Sequence, residues 1–321
     1  MSRFTDLFMG MLGAAPKKPE KVTPRVQQIM LVKYEDKDRY IKEKLHARAH
    51  HQTQNTWRNR RWATLIIANL LFVFSFWLDI QILEGALTAS RFIGFHLIDL
   101  NSALQVMLAH KHIIVNLFIG TFTVFLLWVM LGGRTFCSWV CPYHLVAEWM
   151  EALHLKLVEK KWVTDHEFHR GTRTAFWVLF ALLSLVTGYT VFETLSPMGI
   201  LSRALIYGPG LALGWVFVLL MFEVLYSRRA WCRYVCPIGL TYGVVGTVSP
   251  LQITYHVEHC FHEGDCRKVC LVPHVLDVTV KGRASEERMG LGPDCTRCGL
   301  CVDTCPTGAL RFEVKGLSKL L

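Results

Sequence analysis

Residues 134–142 read Arg-Thr-Phe-Cys-Ser-Trp-Val-Cys-Pro, and residues 229–237 read Arg-Ala-Trp-Cys-Arg-Tyr-Val-Cys-Pro. Five of the nine positions are identical, and Phe136/Trp231 and Trp139/Tyr234 keep an aromatic ring, which marks an internal repeat. Each copy follows an apolar run, and the preceding loops carry Ser90-Arg91 and Ser202-Arg203 at matching places. The chain therefore reads as two helical hairpins of equal direction. Parallel repeats of this kind are related by an axis along the membrane normal, so the two cysteine pairs should sit near each other. Cysteines four apart share one face of a helical turn, and the proline after each pair stops the turn there. Cys137, Cys141, Cys232 and Cys236 are thus candidates for one shared metal or cluster site, or for redox dithiols. The plainer alternative is four small packing residues.

Outward from the repeat lie four apolar runs, near 62–83, 113–133, 175–195 and 210–226. About 20 helical residues cross a bilayer core of about 30 Å. The runs predict an α-helical membrane protein with four transmembrane helices arranged as two parallel-repeat hairpins. Asp79, Glu193 and Glu223 are the acidic residues in them. Of 35 Lys and Arg, 32 fall on one side of this topology, which makes that side the cytoplasm. The expected location is the bacterial cytoplasmic (inner) membrane, multi-pass, with both termini inside. The 321 residues are 52% hydrophobic and 19% charged, which excludes disorder. The net charge of +10 reads as a sidedness label with attraction to anionic lipid, and calls for no nucleic-acid partner. Residues 1–16 show no cleavable signal peptide. Residues 17–61 read as a polar arm whose His46, His50 and His51 are solvated rather than metal ligands.

The strongest chemical signal is Cys295-x2-Cys298-x2-Cys301-x3-Cys305-Pro306, the bacterial ferredoxin spacing. In two-cluster ferredoxins the last cysteine serves the other cluster, so a second run is expected nearby. It is present in altered form as Cys260-x2-Glu263-x2-Cys266-x3-Cys270. One cluster then takes Cys295, Cys298, Cys301 and Cys270. The other takes Cys260, Cys266 and Cys305 and lacks a fourth thiolate. Three outcomes are open: Glu263 ligates through oxygen, the site holds a three-iron cluster, or His262 or Asp265 substitutes. The domains implied are an arm over 1–61, a four-helix membrane domain over 62–237, and a small α+β two-cluster ferredoxin-like domain over 238–321. No haem is expected, because Cys-x-x-Cys-His is missing and the apolar runs hold no histidine.

This pattern resembles the NapH/MauN group of ferredoxin-type membrane proteins, with kinship to the membrane part of NosR. The resemblance covers about residues 60–315 and is carried by residues 85–91, 99–105, 132–142 and the cysteine runs from Cys260 to Pro306. It implies the membrane component of a quinol dehydrogenase, oxidising a quinol such as menaquinol and working with an iron–sulfur or cytochrome partner of a respiratory reductase. Three departures stand out: a longer arm before Trp62, Glu263 in a cysteine position, and Leu271 where a proline normally follows Cys270. The arm suggests a partner contact. Quinol oxidation needs a proton acceptor, and ionisable residues in or beside apolar spans are the candidates. These are Asp79, Asp99 and His96. The alternatives are an accessory or maturation protein that handles copper or thiols through the duplicated cysteines, and a membrane anchor for a larger redox complex.

Overall fold

The computed structural model describes residues 9–10, 12–14, 18–19, 21–51, 55–79, 83–92, 95–112 and 114–316. Most of the stretch read for a signal peptide lies outside them. Two arm helices, α1 (Pro24–Glu35) and α2 (Lys37–His50), precede α3 (Thr56–Trp77). An antiparallel sheet follows, of β1 (Leu83–Ala86), β2 (Ala89–Phe92) and β3 (Phe95–Ile98). Next come α4 (Leu100–His110), α5 (Val115–Leu131), the short cysteine turn α6 (Thr135–Trp139) and α7 (Pro142–Glu159). The second repeat holds α8 (Thr172–Thr187), α9 (Val191–Leu195), α10 (Pro197–Tyr207), α11 (Ala212–Leu225), a wider cysteine turn at Trp231–Val235 and α12 (Ile238–Val248).

The expectation of four transmembrane helices is overturned. Among the described residues no helix is long and apolar enough to cross a membrane. The apolar runs are real but the helices within them stop early. α5 ends after 17 residues at Gly132, whose φ of 114° leaves the helical region. α8 ends after 16 at Gly188, and α11 has 14. At 1.5 Å per residue these reach about 21–26 Å, short of a core of about 30 Å. α3 has 22 residues, but its first turns carry Arg58, Arg60 and Arg61.

The repeats interlock. α4 packs on α8, and α10 packs back on α3; α11 packs on α7, and α12 on α5. One core joins Phe136 and Tyr143 of the first repeat to Phe192, Trp231, Ile238, Tyr242 and Val245 of the second. This core extends past Pro237 through α12. Gly120 allows one close approach, because a Cβ there would lie 1.6 Å from the His96 carbonyl oxygen of β3. Gly133, at φ 65°, lets the chain turn against Gly246 of α12, where a Cβ would meet backbone at 2.5 Å. Outward, Phe118, Phe122 and Leu126 of α5 and Phe217 and Val218 of α11 are exposed, as are Ile67, Leu71 and Phe74 of α3.

The C-terminal part adds β4 (Leu251–His256), α13 (Asp265–Lys268), a 3-10 segment (Pro273–Thr279), β5 (Arg288–Gly290), α14 (Leu300–Thr304) and β6 (Leu310–Val314). β4 is the centre of an antiparallel sheet in the order β5-β4-β6. The arm packs against this part of its own chain. Val26 joins the core of Ile253, Tyr255 and Leu276. Lys33 Nζ donates to the carbonyls of Val257 (2.6 Å) and Cys260 (3.1 Å), and the Tyr40 hydroxyl to that of Phe261 (2.6 Å). Asn55 makes no side-chain cap on α3. The Asp303 carboxylate instead accepts the Trp57 and Arg58 amides at 3.0 and 3.1 Å, an acid at a helix N-terminus supplied from α14.

Candidate iron–sulfur sites

The two cysteine turns meet. Cys137, Cys141, Cys232 and Cys236 line one cavity of about 80 Å³, together with Phe136, Met198 and Trp231. Arg134, Arg173 and Arg229, all buried, also line it. Burial raises all four thiols, Cys236 to about 12. Reactive and dithiol cysteines are activated by lowered pKa, so this environment disfavours free-thiol chemistry. Such thiols lose their protons on binding metal. Among the described residues no group of three or more His, Cys, Asp or Glu is drawn together as a single metal ion requires. A cluster spreads its thiolates over separate irons and does not ask for that closeness.

The arginines have distinct anchors. Arg134 Nη1 donates to Asp294 Oδ1 at 2.8 Å, and Arg173 Nη2 donates to both Asp294 oxygens at 2.9 and 3.0 Å. His274 Nε2 lies 2.9 Å from Asp294 Oδ2. Burial alone would raise the Asp294 carboxyl, but Arg173 and Arg134 more than offset it and hold it below the usual range. Arg229 pairs with Glu151. Arg61 Nη2 grips both Glu148 oxygens at 2.7 and 2.6 Å, and its Nη1 lies 2.8 Å from His144 Nε2. Burial, then Arg229 and Arg61, push His144 well below its ordinary value, so it is neutral. Sequence reading missed Asp294, Arg173, Arg61 and His144. Only the arginine that opens both motif copies pointed this way.

The cysteine cavity abuts the ferredoxin run directly. The Ser138 hydroxyl donates to the Thr296 carbonyl at 2.7 Å, and Trp139 Nε1 to that of Arg297 at 3.0 Å. Arg297 reaches back to the Gly132 carbonyl. Leu271, Val272 and His274 of the Cys270 loop form part of the cavity wall, which gives the Leu271 departure a place.

Cys270, Cys295, Cys298 and Cys301 are mutual neighbours. Burial raises Cys270 and Cys301 well above their ordinary values, Cys295 and Cys298 raise each further, and Cys270 also raises Cys301. The Arg297 amide donates to Cys295 Sγ at 3.4 Å. Cys260, Glu263, Cys266 and Cys305 line a second cavity of about 40 Å³ with His262 and Asp265. Amides of His262 and Ala309 donate to Cys260 and Cys305 Sγ, each at 3.3 Å. Such bonds to sulfur tune a cluster's potential. Cys266 is raised to about 11 by burial. Glu263 Oε1 is buried and, among the described residues, has no hydrogen-bond partner. His262 Nε2 is in the same state, whereas Asp265 is held by Lys268 at 2.8 Å. Glu263 and His262 thus each bring an unpaired buried atom to the cavity that the three cysteines line, and either fits a fourth ligand position.

The proton-acceptor candidates separate. Asp79 and His96 are exposed. Asp99 is buried, caps α4 through the amides of Asn101 and Ser102, and accepts the Tyr242 hydroxyl at 2.7 Å. The loop between the first two apolar runs thus folds inward at Asp99.

Comparison with known sequences agrees with this layout. A family described as a 4Fe-4S binding domain matches twice, over residues 114–162 and 207–251, one copy for each cysteine turn. A second 4Fe-4S binding domain matches residues 294–311. The chain is 34% identical to the ferredoxin-type protein NapH of Haemophilus influenzae, over 61% of this chain and 68% of that protein. It is 31% identical to the methylamine utilization ferredoxin-type protein MauN of Methylorubrum extorquens, over 82% of this chain and 90% of that protein.

The chain belongs to the NapH/MauN family of ferredoxin-type proteins.

It is 29% identical to NapH of Escherichia coli over 78% of this chain and 88% of that protein. No solved structure matches. The NapH/MauN relationship and the domain matches make this an iron–sulfur electron-transfer protein. A redox partner in an electron-transfer system goes with that assignment.

Proposed function

We propose that this NapH/MauN protein takes electrons from a quinol and hands them, through three adjoining cysteine sites, to a partner redox protein. The observation that carries the reading is the direct seat of the first cysteine turn on the Cys295–Cys298 loop, through Ser138, Trp139 and Arg134. Cys137, Cys141, Cys232 and Cys236 would hold the first group. Cys270, Cys295, Cys298 and Cys301 would hold the second, and Cys260, Cys266, Cys305 and Glu263 the third. Bound iron–sulfur clusters supply one-electron chemistry at these stations. The buried Arg134, Arg173 and Arg229 offset the negative charge of four thiolates. Leu271, Met198 and Trp231 restrict water there. The exposed apolar faces of α3, α5 and α11 are where a hydroquinone tail and the lipid of a bacterial inner membrane would be met.

The test is anaerobic reduction of the cluster-loaded chain by menaquinol, followed by EPR. Cluster signals that appear in proportion to added quinol support the reading. Clusters that respond to dithionite but to no hydroquinone would overturn it. For the third site, Glu263→Cys is expected to keep a full iron count, and Glu263→Ala to convert the signal to that of a three-iron cluster. An unchanged Glu263→Ala spectrum removes Glu263 as ligand.

A further inference from the structure

The arm lies against the mouth of the Cys260 site. The Tyr40 hydroxyl bonds the Phe261 carbonyl, and its ring meets Phe261 edge-on at 5.4 Å. Phe261 stands between Cys260 and His262 and lines the cavity. Lys44 and Arg48 follow Tyr40 by one and two turns of α2, so the helix carries them along the same side. Both are near enough to Asp265 to act on its carboxylate, and Lys44 and Lys281 act on His262. Lys281 Nζ also sits 3.5 Å over the Tyr34 ring of α1. The acids nearby are already engaged: Glu43 with Arg39, Asp265 with Lys268, and Asp277 with Arg283. Lys44, Arg48 and Lys281 are left without an ion pair among the described residues. Beside them on α2, Ile41 and Leu45 are exposed. Apolar side chains within a charged border are the makeup of a docking face for another protein.

The site under this rim is also where charge can leave the chain. Cys260, Cys266 and Cys305 are only partly buried, whereas Cys295, Cys298 and Cys301 are buried. Cys266 is close enough to raise the Cys270 and Cys301 thiols, so the second and third sites adjoin. The first site meets the second instead, at Thr296 and Arg297. Anionic lipid would also be drawn to the cations, but it accepts no electron, and the exposed Asp38 and Glu43 of the same helix would repel it.

We propose that the rim built by α2 over the Cys260 site docks a small acidic redox protein, whose carboxylates meet Lys44, Arg48 and Lys281 while its redox centre faces the cavity. The inference rests on the third site being the station from which electrons leave. The step is the passage of one electron from the reduced chain to the oxidised partner, after which the two separate. Opposite charges steer and orient the encounter, and salt screens them.

Plastocyanin, an acidic blue-copper protein of high potential, is the probe, and basic mitochondrial cytochrome c is the control of opposite charge. Two readouts are taken on the cluster-loaded full chain. One is equilibrium binding in the oxidised state; the other is stopped-flow oxidation after reduction by dithionite and removal of the excess. Binding and rate with plastocyanin should fall at least about tenfold between roughly 20 and 300 mM salt. Lys44→Glu/Arg48→Glu should lose at least about tenfold at low salt, become nearly insensitive to salt, and gain with cytochrome c. Lys42→Glu changes charge on the opposite side of α2 from Tyr40 and should stay within about twofold of wild type. An unchanged iron count and EPR spectrum show that the double variant is folded and loaded. The wild type carries a test free of substitution: at low salt it must bind plastocyanin more tightly than cytochrome c. Equal binding of the two, binding indifferent to salt, or a double variant no different from Lys42→Glu overturns the proposal. Phosphatidylglycerol vesicles that lose the double variant while plastocyanin keeps it would assign the rim to lipid and overturn it as well. Dithionite bypasses the quinol, so the two readings separate. Salt-sensitive transfer to plastocyanin from a chain that menaquinol fails to reduce keeps the docking face and removes the quinol reaction. Reduction by menaquinol without salt-sensitive binding does the reverse.

Discussion

The two cysteine turns share a motif and differ in what their opening arginines hold. Arg134 reaches Asp294, one residue before the first ferredoxin cysteine, and its turn docks on that loop through Ser138 and Trp139. Arg229 stays within the helical half, paired with Glu151 of α7 and beside His144. The first turn is α-helical, whereas the second is a wider π turn whose Trp231 amide donates to Glu223 at 3.0 Å. The common residues gather four thiols around one cavity. The flanking residues decide which side of that cavity opens toward the ferredoxin part. A duplicated sequence thus builds a near-symmetric set of four thiols around one cavity with asymmetric surroundings.

The sharpest way to break this comparison is to remove one thiol from each repeat in turn. If the repeats build one site, Cys137→Ser and Cys232→Ser should each cost about a third of the bound iron, and the double variant no more than either alone. Iron and sulfide analysis with EPR reads the result, and the Cys295 signal should persist in all three. Losses that add in the double variant would mean two independent sites.

The repeat and the ferredoxin spacing were legible because cysteine, proline and aromatic positions recur at fixed intervals. The juxtaposition of the four repeat cysteines followed from that symmetry. Membrane-length helices did not follow, although the apolar runs suggested them. Hydropathy counts Gly132 and Gly188 as neutral members of a run, but their positive φ ends a helix. The arm read as polar and as a contact for a partner, and its packing on its own chain was hidden because the apolar side of α1 is little more than Val26, Ile29 and Met30 packed on the ferredoxin core. Asp294 was invisible for another reason. A lone aspartate beside a cysteine carries no periodic signal, and its partners Arg134 and Arg173 lie 160 and 121 residues away in the chain.

The second test compares the acids that hold the two arginines. Asp294→Asn removes the carboxylate that Arg134 and Arg173 share, and breaking a buried ion pair from one side typically costs about 3–5 kcal/mol. Glu151→Gln strips Arg229 of its carboxylate, but Glu151 is 14% exposed and water offsets part of the loss. About 1–3 kcal/mol is expected there. Denaturant titration of the two variants measures the difference. A Glu151→Gln cost equal to that of Asp294→Asn would erase the distinction between an arginine that bridges two parts and one that serves its own half.

The smallest effect lies at the two matching helix caps. Ser196→Ala removes a cap from α10 and should cost about 0.5–2 kcal/mol. Asp99→Asn keeps a capping side chain on α4, so its cost at acid pH should be near zero. Its pH dependence carries the information. Burial raises the Asp99 carboxyl in the folded chain, so folding holds that proton more tightly than the unfolded chain does. The stability this supplies is complete below the unfolded value, about pH 4, and erodes as pH rises toward the folded value. Asparagine has no such slope. The variant should therefore gain on the wild type between acid and neutral pH, whereas Ser196→Ala should lose by a constant amount throughout. Urea titrations at a few pH values would read both lines. Parallel lines for Asp99→Asn and wild type would mean that the buried carboxyl does not hold its proton more tightly in the fold, and that the two caps differ in chemistry but not in ionisation.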